Sequence, residues 1–317
     1  MEYFVTGATG FIGGRLVRRL REAGHGVVAV VRNPAKAGDL ARLGVKVHKG
    51  DITDKESMRG PMAGVDGVFH LAAWYKVGER DKSPAMPINV DGTRNVLELM
   101  QELGVPKGVY TSTLAVFGDT KGQAVDESYR HDGPWLSEYD RTKWIAHYEV
   151  AEPMMRKGLP LVIVQPGVTY GPGDPSAMGS TLREFLQRRM RGVPKRSAYC
   201  WGHVEDTAAG HVLAMERGRA GESYIIAGEP RTLTETIDVA ERITGIPAPR
   251  FRPSPGLLRF LAAVTRSELL RVGAGATYLG SNAKATRELG LHHRPLEEGL
   301  RETLLAEMRA LGMPPRA

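Results

Sequence analysis

Cysteine is almost absent, with Cys200 standing alone among 317 residues. One thiol excludes an intrachain disulfide and any metal site built on several cysteines, and no metal is expected. Long apolar runs are missing too. None approaches the ~20 residues that a membrane-crossing helix needs, and the apolar stretch 256–264 reads as a lid or packing helix. Met1 leads straight into Tyr3-Phe4-Val5 without a signal-peptide pattern, so a cytoplasmic location and no membrane partner are expected. The net charge of +7 forms no dense block; basic residues are spread over 15–21, 183–196 and 294–309. With no zinc-finger spacing and no aromatic-basic RNA-binding motif, the pattern speaks against nucleic acid and for a solvated basic surface, part of it reserved for an anionic cofactor.

What is present is alternation. Short apolar runs at 3–5, 27–31, 45–48, 67–71, 109–111 and 161–165 are separated by helix-like stretches at 11–23, 90–103 and 139–157. Strands alternating with helices over this distance specify an α/β fold, a doubly wound parallel sheet of Rossmann type. Cofactor sites in such sheets lie at the carboxyl ends of the strands. Beyond Pro166 the pattern loosens, with a loop-forming Gly171-Pro-Gly-Asp-Pro175, an arginine-rich helix at 181–191, a short strand at 224–227 and proline breaks at 247, 249, 253 and 255. The expected division is a cofactor-binding domain over 1–167, to which the chain returns at about 200–227. A smaller, mostly helical substrate lobe comprises 168–199 and 228–317.

Directly after the first strand comes Thr6-Gly7-Ala8-Thr9-Gly10-Phe11-Ile12-Gly13. Gly7 suits a tight turn, Gly10 lets backbone approach a pyrophosphate, and Gly13 lets the helix pack close to the sheet. At the end of the second strand, where an acidic residue would accept hydrogen bonds from an adenosine ribose 2′-hydroxyl, stands Arg32. A guanidinium pairs well with a phosphate dianion. With Lys36, and with Arg15 as a further contributor to the field, this predicts NADP(H) in preference to NAD(H).

Tyr139 and Lys143 lie four residues apart in Ser137-Glu-Tyr-Asp-Arg-Thr-Lys143 and therefore share one face of a helix. A phenol with a pKa of roughly 10 is a poor acid-base group at neutral pH. A fixed cation beside it favours the phenolate and brings it into a useful range.

Taken together with the glycine turn, these residues resemble the extended short-chain dehydrogenase/reductase family, also described as the NAD-dependent epimerase/dehydratase superfamily. Further segments match it in order over roughly residues 3 to 210. Gly50-Asp51-Ile52 is similar to the family's adenine contact, and His70-Leu71-Ala72-Ala73 to its strand end beside the cofactor. Asn89 to Asn95 resembles its asparagine-bearing helix start, and Tyr110-Thr111-Ser112-Thr113 to Gly118 its hydroxyl-bearing strand. Gln165-Pro166-Gly167-Val168 to Pro172, His203 to Asp206 and the tail at 281–290 fit as well. The resemblance implies a catalytic set of Thr113, Tyr139 and Lys143, with Asn89 in a structural or water-relay role. It also implies a cofactor lining that includes Thr6, Gly7, Thr9, Gly10, Phe11, Ile12, Gly13, Asp51, Ile52, Leu71, Ala72, Ala73, Thr111, Pro166, Gly167 and Val168. Family members commonly dimerise through two helices, here 92–103 and 139–156, so a homodimer is expected. His70 and His203 are expected to be buried and hydrogen-bonded.

The family spans reductases, epimerases and dehydratases, so departures from its patterns matter. Leu114-Ala115 stand where dehydratases carry an Asp-Glu pair, which removes the acid and base for water elimination. Val168 and Tyr199 replace an asparagine and an arginine that sugar-nucleotide enzymes use. The pattern is nearest to dihydroflavonol-reductase-like members. It points to reversible hydride transfer between NADP(H) and a carbonyl or secondary alcohol of a small, fairly apolar substrate, with Trp74, Tyr75, Trp135, Met178 and Trp201 as candidate pocket residues. A nucleotide-sugar epimerase and a non-catalytic NADP-binding sensor are the alternatives.

Overall fold

Runs of β-branched residues between glycines become strands buried on both faces, as a parallel sheet covered by helices requires. The computed structural model describes residues 1–313. Its strands are β1 (Glu2–Thr6), β2 (Gly26–Val31), β3 (Lys46–Lys49), β4 (Gly67–His70), β5 (Gly108–Thr111) and β6 (Leu161–Gln165), then β7 (Val168–Tyr170), β8 (Ala198–His203), β9 (Ser223–Ile225), β10 (Glu229–Thr232) and β11 (Thr277–Tyr278). Seven of them form one sheet in the order β3-β2-β1-β4-β5-β6-β9, with every pairing parallel.

Side chains alternate across this sheet. Val5, Ala29, Val109 and Val162 pack on one face with Leu16, Val17 and Leu20 of the helix Phe11–Glu22. Phe4, Val28, Tyr110 and Ile163 pack on the other with Val96, Leu97 and Met100 of the helix Gly92–Glu102. The chain order reverses between β1 and β4, so the crevice at their carboxyl ends is where a dinucleotide binds in folds of this type.

A second sheet is built around β8, which pairs antiparallel with β10 and parallel with both β7 and β11. Hence only part of the expected return over 200–227 joins the large sheet. Ser223–Ile225 does, whereas Ala198–His203 is the centre of the small sheet, because Gly167 lies against the Cys200 carbonyl and leads β7 alongside β8. The small sheet and the helices Leu233–Thr244 and Leu296–Ala310 enclose their own core around Phe185, Trp201, Ile237 and Leu300.

Three helix expectations change in detail. The stretch expected as one helix over 139–157 is helical at Glu138–Ile145, passes through a π-helical turn at Ala146–Ala151 and resumes at Glu152–Arg156. The arginine-rich helix is Ala177–Leu186, started by the Ser176 hydroxyl; it ends before Arg188, whose φ of 57° is left-handed. The apolar stretch at 256–264 is a helix, Pro255–Thr265, but its Phe260 and Val264 face solvent instead of packing.

Candidate active site

The glycine turn closes as its sequence demands. Gly7 takes a φ of 73°, and a Cβ there would stand 2.7 Å from the Ala72 nitrogen. A Cβ on Gly13 would stand 2.1 Å from the Gly7 carbonyl oxygen, so only glycine lets the helix come this close to β1. Gly10 caps the helix without any side-chain hydrogen bond, and the first turn carries no acidic residue. Free amides and the positive end of a twelve-residue helix therefore point outward with no protein acceptor, which fits the pyrophosphate of a dinucleotide.

Around the turn, the Thr6 hydroxyl accepts a hydrogen bond from the Ala72 amide at 3.2 Å and meets His70 Nδ1 at 2.8 Å. His70 Nε2 lies 3.0 Å from the Thr93 hydroxyl, and Thr93 donates to the Asn89 carbonyl at 2.7 Å. Burial, with Lys143 nearby, pushes the His70 imidazole down to about 3, so it is a neutral structural tie. His203 is buried as expected; its Nδ1 accepts from the Glu205 amide, but its Nε2 has no hydrogen-bond partner.

Arg32 and Lys36 stand exposed at the end of β2, and neither side chain has a hydrogen-bond or acidic partner among the described residues. Arg15 differs from expectation. Its guanidinium pairs with Glu205 at 3.0 Å and donates to the Pro172 carbonyl at 3.1 Å, so it ties the first helix to the later lobe instead of adding to a phosphate field. Asp51 accepts from the Thr53 amide and hydroxyl at 2.9 Å each and shapes the turn after β3, while Ile52 is buried. Gln165, at the end of β6 next to Pro166-Gly167-Val168, buries both polar atoms of its amide without a hydrogen-bond partner. Such an orphaned group beside the expected cofactor wall is rare in a protein interior. Together these features fit a nicotinamide dinucleotide.

Tyr139 and Lys143 project from the helix Glu138–Ile145, whose start is fixed by the Ser137 hydroxyl accepting from the Asp140 amide. Thr113, just beyond β5, lies close enough to the Tyr139 phenol to favour its ionised form. The Tyr139 ring retains some solvent contact, yet its surroundings push the phenol well above its ordinary pKa, chiefly by desolvation; the Thr113 hydroxyl opposes that rise. Lys143 is 1% exposed and donates to the Tyr110 hydroxyl at 2.9 Å and to the Thr111 carbonyl at 2.8 Å. Burial brings its ammonium down to about 7. Two of its three N–H donors are thus engaged with the protein and one is left over. The expected effect of Lys143 on Tyr139 is absent from this arrangement: its nearest phenol is Tyr110, which also stacks on His70.

Asn89 does not cap a helix. Its amide accepts from the Trp74 nitrogen at 2.7 Å and donates to the Trp74 carbonyl and to the Thr142 hydroxyl at 3.1 and 2.9 Å. It locks the segment after Ala73 to the helix carrying Tyr139, and sits in a π-helical turn, Pro87–Asp91, a distortion frequent at functional sites.

Of the candidate pocket aromatics, Tyr75 packs edge-on against Tyr139 with ring centroids 4.8 Å apart. Trp201 does not line a pocket: it is 2% exposed in the core of the later lobe and donates to the Arg231 carbonyl. Met178 packs against that same core, and Trp135 packs on Trp144. Trp74 is buried under the Asn89 lock.

Three residues near Tyr139 went unnoticed in the sequence. Tyr110 holds Lys143. Buried Asp140 accepts from Ser137 at 2.6 Å and from Tyr278 at 3.0 Å, and burial raises its carboxyl to about 6. Tyr278 stacks on Tyr199 at 6.1 Å. Only Asp140 offered a signal, an acid on the helix directly beside the candidate tyrosine; Tyr278 comes from a strand 138 residues away.

Residues 3–227 match the model of the NAD dependent epimerase/dehydratase family. The chain is 34% identical to a Synechocystis protein named "Putative dihydroflavonol 4-reductase" over 95% of its own length and 93% of that protein's. It is also 34% identical to sterol demethylase protein B of Methylococcus capsulatus, covering 83% of this chain and 80% of that one. Among solved structures, that of gox2253 superposes with a TM-score of 0.88 at 30% identity, over 98% of this chain and 99% of that chain. The chain is thus an enzyme of the NAD-dependent epimerase/dehydratase family, the extended short-chain dehydrogenases/reductases.

Proposed function

We propose that the chain catalyses reversible hydride transfer between NADP(H) and a carbonyl or secondary alcohol on a small, fairly apolar substrate. The observation that carries this reading is the Thr113 hydroxyl lying beside the Tyr139 phenol, one helical turn from buried Lys143. Bound nicotinamide would supply the hydride in reduction and accept it in oxidation. Everything else falls to side chains of this chain. Thr113 and Tyr139 offer two hydroxyls to one carbonyl oxygen, which stabilises the negative charge developing there. Tyr139 gives that oxygen its proton in reduction and takes it back in oxidation. A phenol held above its ordinary pKa is protonated at neutral pH, so the site is poised as an acid. The remaining donor of Lys143 is available to a ribose hydroxyl of the cofactor.

The glycine turn would hold the pyrophosphate and Arg32 with Lys36 the 2′-phosphate, since neither cation is engaged elsewhere. Leu114 is core and Ala115 has no acid-base chemistry, which weighs against dehydration. In this reading residues 1–167 with the β9 segment bind the cofactor, and 168–199 with 228–317 face the substrate. We further propose a cytoplasmic homodimer. NADPH oxidation across a panel of ketones and aldehydes is the test. Wild-type protein is expected to turn over part of the panel, with Tyr139→Phe about 10²–10⁴-fold slower. No oxidation of NADPH by any member, together with epimerisation of a nucleotide sugar, would sink the reading.

A further inference from the structure

The helix Pro255–Thr265 is amphipathic with the wrong side out. Leu258 and Ala262 are buried, whereas Leu257, Phe260, Leu261 and Val264, spaced i, i+3, i+4 and i+7, are 41%, 65%, 37% and 67% exposed. Phe251 before it and Leu269 after it are exposed as well, at 58% and 53%. Apart from Met1 and Tyr75, these six are all the exposed large hydrophobics among the described residues. A contiguous apolar stripe of this kind marks an interaction site.

The charge around it is one-sided. Segments 187–197 and 249–273 hold ten basic residues and one acidic residue, Glu268. Glu268 faces inward, bonded to Lys82 and to the Gly78 amide. Of the ten, only Arg252 has an acidic partner, Asp238. Arg188, Arg189, Arg191 and Arg196 come from the first segment, and Arg250, Arg259, Arg266 and Arg271 from the second; all are exposed. Backbone pairing brings the segments together: the Val193 amide donates to the Phe251 carbonyl at 3.0 Å, and Gly192 lies against the Phe251 ring. Arg196 and Pro255, at the start of the helix, meet across Gly275.

We infer that this face is a peripheral docking surface for an anionic lipid bilayer. An apolar helical stripe flanked by arginines inserts its side chains at the headgroup boundary and draws on the negative surface potential. No helix among the described residues is long and apolar enough to cross a membrane, so the contact is one of surface only, and it replaces the expectation of no membrane partner. The same hairpin rests on the active-site rim. Leu269 packs on Gly78, in the segment whose Tyr75 touches Tyr139. If the catalytic reading above holds, on which this last point rests, a membrane-dissolved substrate enters beside Tyr75.

Sedimentation with vesicles tests the surface without reference to turnover. The full chain is expected to sediment with phosphatidylcholine vesicles containing phosphatidylglycerol, to do so far less with phosphatidylcholine alone, and to be released by high salt. The double variant Phe260→Ser/Val264→Ser should bind about tenfold more weakly, with unchanged thermal melting because both side chains are exposed. Two results would overturn the inference. One is binding to anionic vesicles that is absent or unaltered in the variant. The other is light scattering that shows the wild type associated through this face and the variant dissociated, which would make it a contact between copies of the chain.

Discussion

The glycine turn at residues 7–13 and the helix at Pro255–Thr265 both present something unsatisfied to the outside, and they do so in opposite ways. At the turn, tight packing removes every alternative. Gly13 has no room for a methyl group, and backbone amides are left without acceptors. At the later helix, loose packing leaves apolar side chains with nothing to cover them. One place is rigid and selects a ligand by shape and hydrogen bonds; the other is open and selects a partner by area and charge.

That contrast is sharpest in glycine substitutions. Gly13→Ala would force a carbon to within 2.1 Å of backbone, with no flexible side chain to give way. Loss of dinucleotide binding by at least about 100-fold, or failure to fold, is expected. Gly256→Ala, in the exposed helix, meets nothing within 4 Å and should leave binding untouched while stabilising by roughly 0.5–1 kcal/mol. Cofactor titration and melting of the two variants check this, and equal behaviour would erase the distinction.

A smaller effect separates the arginines. Arg32→Asp should lower the NADPH/NADH ratio of kcat/KM about 100-fold, as expected for losing a charge-assisted phosphate contact and gaining a repulsive one. Arg259→Asp should leave that ratio unchanged, since Arg259 belongs to the basic face of the other lobe. A ratio insensitive to Arg32 would remove the case for NADP preference.

The smallest expected effect is one of pH. The folded chain gives up the Lys143 proton near pH 7, against an ordinary value of 10.5. Between these values the unfolded chain holds more protons, so this group makes stability rise with pH; below pH 7 its buried charge is a full penalty. Lys143→Met should flatten that part of the Tm-against-pH curve and raise Tm by about 2 °C or more at pH 7, while abolishing turnover. A variant with the wild-type slope would show that Lys143 is not buried as described.

Much of this was legible beforehand, for a physical reason. The turn at 7–13, the tyrosine and lysine one helical turn apart, and the strand-helix alternation are short-range patterns whose geometry follows from backbone periodicity. Element ends were less so, as where the helix expected to run to 191 ends at Leu186 before Arg188 turns left-handed. Partners across long separations were not legible at all. Asn89 reaches Thr142, Asp140 reaches Tyr278, and Lys143 takes Tyr110 as its phenol.

The basic residues mark the same boundary. Their number was plain from the amino-acid sequence, as was the fold class, because each depends on residue type and local spacing. That residues 188–196 and 250–271 gather on one face around an outward apolar helix depended on packing. Segments some sixty residues apart become neighbours only when the small sheet and its core bring them there, and no local pattern carries that information.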